Sequence, residues 1–113
     1  MHEVALAQGI VDIVTEQSDR DGFKRAKVVH VELGALANVM PEALVFGFQS
    51  ASVGTAAEGA RIEFIRRPGT GWCMDCSVEV QVPARVALCP QCGGVKWIVT
   101  GGEQMRVTEL EVD

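Results

Sequence analysis

All four cysteines of the chain fall in two C-x2-C turns, Cys73-Met-Asp-Cys76 and Cys89-Pro-Gln-Cys92, with twelve residues between the pairs. Two thiolates at that spacing sit on one tight turn and can both point inward. A short hairpin that brings the second turn alongside completes a tetrahedron of sulfur, the closed shell that Zn2+ favours in structural sites. Such a site supplies folding energy directly. Pro90 stiffens the second turn, and Gly93 and Gly94 follow it, where metal turns often need positive φ. A single C-x-x-C is compatible with redox chemistry, but two at ribbon spacing point to zinc, with Cys73, Cys76, Cys89 and Cys92 as ligands. Two disulfides are the main alternative and would need an oxidising compartment. An iron site of rubredoxin type uses the same ligands. With every position filled by protein, the metal reads as structural rather than hydrolytic.

The chain has 113 residues, of which 48% are hydrophobic, so a real core is available. Net charge is −5, and the ten basic residues are scattered apart from Lys24-Arg25-Ala26-Lys27 and Arg66-Arg67. Nucleic acid is therefore not expected as a partner, since phosphate binding needs a concentrated basic face. No apolar run approaches a membrane span, so no membrane partner is expected either. The opening Met1-His2-Glu3 lacks the charged and apolar regions of a signal peptide. A cytoplasmic protein with reduced thiols is expected.

The periodicity predicts a helix over 3–18, with Leu6, Ile10 and Ile13 on one stripe and Ala7, Val11 and Val14 beside it. Asp19 to Gly22 reads as a turn. Ala26 to Leu33 reads as a strand, with Val29, Val31 and Leu33 on one face and Val28, His30 and Glu32 on the other. His30 is expected to be solvated. Pro41 and Glu42 suit the first turn of a second helix whose apolar face carries Leu44, Val45, Phe48 and Ala51. A strand follows at 61–66, then a breaker-rich linker from Arg67 to Gly71, with Arg66 and Arg67 as an exposed charge pair. The ribbon carries Val78, Val80 and Val82 on one face, and Trp72 and Trp97 are expected to pack a module too small for its own core. Strands at 96–100 and 104–112 complete the chain, the last returning to the first sheet. The expected fold is α/β: a small mixed-sheet domain with two helices, residues 1–68 with 101–113, and an inserted zinc-ribbon module, residues 69–100.

A histidine at position 2 has an unusual option. The Met1 amine, the His2 amide nitrogen and the imidazole Nδ1 can close around one metal, in the square plane that nickel(II) and copper(II) accept. A Glu3 amide or carboxylate could fill out the shell. The competing reading is a polar residue at a frayed terminus, with Glu3 as a first-turn carboxylate facing the helix dipole.

The motifs taken together carry a resemblance. Met1-His2-Glu3 opens a helix running Leu6-Ala7-Gln8. Val31-Glu-Leu-Gly34 follows, then Val39-Met-Pro-Glu-Ala-Leu44, Phe46-Gly-Phe48 and Gly54-Thr-Ala-Ala-Glu-Gly-Ala60. Both cysteine turns come next, before Gly101-Gly-Glu-Gln-Met-Arg106 and Glu109-Leu-Glu-Val112. Over essentially its whole length the chain resembles the HypA/HybF family of hydrogenase-maturation nickel metallochaperones.

The resemblance implies Ni(2+) carried at the N-terminus, with His2 as primary ligand, backbone nitrogens of Met1 and His2 assisting, and Glu3 as a second ligand. It implies structural Zn(2+) on the four cysteines. The implied partners are a HypB-type GTPase and the large-subunit precursor of [NiFe] hydrogenase, with urease maturation in some organisms. It leaves open whether the chain works as a homodimer. Several relatives place an acidic residue, proposed as a further nickel ligand, where this chain has the thioether Met40. A carrier rather than an enzyme is expected, because no nucleophile–base pair or phosphate-binding loop is visible. The alternative is a zinc-ribbon adaptor that binds protein, or less readily nucleic acid, without nickel.

Overall fold

The computed structural model describes residues 2–113. The elements run α1 (His2–Asp21), β1 (Ala26–Gly34), α2 (Pro41–Ala51), β2 (Arg61–Arg67), β3 (Gly69–Cys73), β4 (Val78–Val82), β5 (Trp97–Gly101) and β6 (Met105–Val112). They form two three-stranded sheets, ordered β2-β1-β6 and β4-β3-β5. This is the expected α/β architecture, and β6 does return to the first sheet.

The chain divides into two compact units, one of Met1–Val31, Val39–Phe64 and Val107–Asp113, the other of Glu32–Asn38 and Ile65–Arg106. In the first, α1 buries Ala7, Ile10, Val11 and Val14, a row at three- and four-residue spacing, while Ile13 stays exposed. The buried stripe is thus one position round from the expected Leu6-Ile10-Ile13 line. Small Ala7 belongs on it because α2 passes there, its Gly47 leaving room for the Ala7 methyl. The helix also runs three residues further than expected. Gly22, at φ 80, is the first residue to leave the helical region, and its N–H closes on Ser18 O. Helix α2 starts at Pro41 and buries Leu44 and Phe48.

Strand β1 lies in the middle of its sheet, and Val28, Val29 and Val31 are all buried. The simple alternation read from sequence fails here because a central strand is covered on both faces. The sheet is mixed. Strand β6 runs against β1, with Asp113 N–H on Arg25 O at one end and Gly34 N–H on Gln104 O at the other. Strands β1 and β2 finish side by side, Ala35 N–H donating to Arg67 O, as a crossover through α2 requires.

In the second unit, Leu36, Val80, Val82, Cys73 and Cys89 form a small core, with Ala87, Trp97 and Val99 packed against it. Strand β3 pairs antiparallel with both β4 and β5. The expected linker at Arg67 to Gly71 is instead almost wholly strand, because only Pro68 separates β2 from β3. Breaker residues here serve close packing. A Cβ on Gly71 would stand 2.4 Å from the Trp97 ring, and one on Gly69 2.5 Å from Val82 O. Trp97 packs as expected and donates its Nε1–H to Ala87 O at 2.8 Å. Trp72 does not. Strand alternation turns Gly71 and Cys73 inward and leaves Trp72 40% exposed.

Candidate metal centres

The first cysteine turn begins where β3 ends, and the second lies in the loop between β4 and β5. The two turns share one construction. Ser77 N–H donates to Cys73 O and Gly93 N–H to Cys89 O, each at 2.8 Å. Both donors are left-handed, Ser77 at φ 54 and Gly93 at φ 71. That sharp reversal is what lets two residues three apart aim at one point. Backbone N–H groups also face the sulfurs, Cys76 N to Cys73 Sγ and Gln91 N to Cys89 Sγ, each at 3.4 Å.

All four sulfurs lie within 4.8 Å of one another. Cys73 Sγ to Cys92 Sγ is 3.8 Å and Cys76 Sγ to Cys89 Sγ is 4.0 Å. A tetrahedron with Zn–S bonds of about 2.3 Å has edges of about 3.8 Å, so the cluster fits a zinc ion. The four cysteines are free thiols rather than disulfides. Their protons are unevenly held. N–H groups of Cys92 and Gln91 stabilise the Cys89 thiolate and bring it down to about 7. Cys76 is pushed up to about 12, chiefly by its hydrogen bond with Cys92 and then by burial. Metal binding displaces such protons.

At the other end, His2 is the first residue of α1 and is exposed. Met1 lies outside the described residues. Glu3 is half-buried, and its Oε2 accepts the Met40 N–H at 3.3 Å. Donation from its own N–H and from that of Met40 holds the Glu3 carboxyl below the usual carboxylate range. Position 40 is thereby brought beside the first turn of α1, with the Met40 side chain 63% exposed.

Two polar clusters were not legible as such. Glu32 accepts from Arg67 Nε at 3.0 Å and Arg106 Nε at 3.1 Å, so Arg67, exposed as expected like Arg66, is also tied to a carboxylate. His30 is not solvated: it is half-buried, with Nε2 2.6 Å from Glu111 Oε2. In each case the partner comes from a distant strand. The hint in the sequence is that His30 and Glu32 alternate with the valines and leucine of β1.

Residues 1–112 match the protein family described as hydrogenase/urease nickel incorporation, metallochaperone, hypA. The chain belongs to the HypA family. It is 50% identical, over the full length of both chains, to hydrogenase maturation factor HypA 2 of Bradyrhizobium diazoefficiens. It is 44% identical, again over full length, to hydrogenase maturation factor HypA of Azotobacter chroococcum mcd 1. The solution structure of the Ni metallochaperone HypA from Helicobacter pylori shares the fold, with a TM-score of 0.66 at 20% identity, over 97% of this chain and 96% of that one. A second HypA solution structure gives a TM-score of 0.69 at 21% identity, over 99% of this chain and 96% of that one. The family is one of nickel incorporation, and the four-cysteine cluster of this chain fits a zinc site. Among the described residues no helix is long and apolar enough to cross a membrane.

Proposed function

We propose that the chain carries Ni(2+) as cargo at its N-terminus and hands it to the large-subunit precursor of a [NiFe] hydrogenase. It works in the cytoplasm with a HypB-type GTPase, as a carrier with no reaction of its own. Cys73, Cys76, Cys89 and Cys92 hold a structural Zn(2+) that ties the ribbon's two turns together. The observation that carries this reading is the full-length match to a nickel-incorporation family by a chain that opens Met1-His2-Glu3. Relatives named as hydrogenase maturation factors favour hydrogenase over urease as the acceptor.

The local structure suits a cargo site. The Met1 amine, the His2 amide and the His2 imidazole supply the nitrogens, with Glu3 beside them. The first N–H groups of a helix have no intrahelical acceptor, so the His2 amide is not needed to hold α1 together. A terminal, exposed and low-denticity site can release its ion, whereas the four-thiolate shell cannot. Native mass spectrometry of the untagged, zinc-loaded protein should show one nickel gained and one zinc retained. His2→Ala should abolish nickel uptake and keep zinc. A fusion ahead of Met1 should weaken uptake, because it removes the amine. Zinc alone, with no nickel uptake near neutral pH, would leave only the adaptor reading.

A further inference from the structure

We propose that Glu3 is a positioning residue for the nickel cargo rather than one of its ligands: its carboxylate grips the N-cap amide of α2 and so fixes the first turn of α1, with His2, against the neighbouring helix. The inference rests on the reading that nickel binds at the N-terminus.

Helix α2 starts without the usual help. Its N-cap residue is Met40, at φ −87 and ψ 112, with no side-chain cap. A thioether is a weak acceptor. The third helical residue is Ala43, which cannot reach back to the N-cap N–H as the glutamate of a capping box does. Glu3 does this job from the other helix, through Oε2 at 3.3 Å from Met40 N. The two backbones also meet closely here. A Cβ on Gly47 of α2 would lie 3.2 Å from Ala7 Cβ and 3.8 Å from both Val4 Cα and Glu3 O. Moving the Glu3 carboxylate onto the ion would strip the Met40 N–H of its acceptor and loosen the turn that carries His2. Held where it is, Glu3 acts on the cargo site as an orienting partner does on a metal ligand.

Three variants of the full, untagged, zinc-loaded chain test this. Glu3→Gln keeps an oxygen that accepts the Met40 N–H but removes the carboxylate. Glu3→Ala removes both. Met40→Pro deletes the donor at a φ close to the proline range. Expected nickel affinity is within about twofold of wild type for Glu3→Gln and lower by about tenfold for Glu3→Ala. Met40→Pro should lose as much as Glu3→Ala, and the double variant no more than either alone. Hydrogen exchange at the Met40 amide, read without nickel, should be slow in wild type and Glu3→Gln and fast in Glu3→Ala. Equal nickel loss in Glu3→Gln and Glu3→Ala would make Glu3 a ligand and overturn the proposal. Fast Met40 exchange in the wild type would overturn it too, whatever nickel does. Nickel uptake that survives His2→Ala would sink the terminal cargo site and this proposal with it. The Met40 exchange pattern tells that failure apart from failure of the tie.

Discussion

Glu32 sits on the central strand β1 with its side chain 10% exposed, a costly place for a charge without partners. Arg67 and then Arg106 and Gln104 stabilise the carboxylate and hold it below the usual carboxylate range. Because the folded carboxyl holds its proton less readily than the unfolded one, it contributes its full stabilisation above the usual carboxylate range. The contribution fades as pH falls through the lower folded value. Glu32→Gln should therefore lower Tm at pH 7, and its gap to wild type should close on acidification. A gap that stays constant with pH would mean that the guanidiniums act by packing alone. The zinc thiols carry a second pH dependence. Zinc must displace the thiol protons, so affinity falls with pH, and below about 7 Cys89 joins the thiols that must be deprotonated. A chelator titration should show log affinity falling more steeply on the acid side of that value. An even slope throughout would contradict the thiolate character assigned to Cys89.

Among the elements, the tightest tolerances lie where strands change direction. Gly102, at φ 88, has its Cα side against Gly69, and an added Cβ would stand 2.5 Å from Gly69 Cα and 2.6 Å from Pro68 O. A Cβ on Gly34 would in turn meet the Gly102 carbonyl. Backbone packs on backbone there, so no side chain can move aside. Gly102→Ala should cost about 3 kcal/mol or more from left-handed strain plus overpacking, read as a lower denaturation midpoint. In α2, Phe48 is 1% exposed. Phe48→Ala should cost about 3–5 kcal/mol in urea unfolding, and a loss under 1 kcal/mol would show that the helix is not anchored by that ring.

Across the molecule, both helices belong to the first unit, whose buried residues Ile10, Val14, Val29, Leu44 and Phe48 include no cysteine. The second unit has a core of which Cys73 and Cys89 are themselves members. Stripping zinc should therefore broaden or shift amide signals around Cys73–Cys76 and Cys89–Gly93 while the helical far-UV signal persists. Loss of helix on chelation would show that the apolar unit does not stand without the metal. The sequence by itself determined what is local: the two C-x2-C turns, a helix from residue 3 and another from Pro41, strands at 26–33 and 61–66, and the resemblance to a family of nickel metallochaperones. Spacing and periodicity act over a few residues, and such features need no more. Only the tertiary structure decided that β1 is covered on both faces and that Trp72 faces outward. It also set the Glu32 carboxylate between Arg67 and Arg106, placed His30 against Glu111 and brought Glu3 to the Met40 amide. Those contacts join residues dozens of positions apart. No local pattern encodes them, because chain topology alone makes them neighbours.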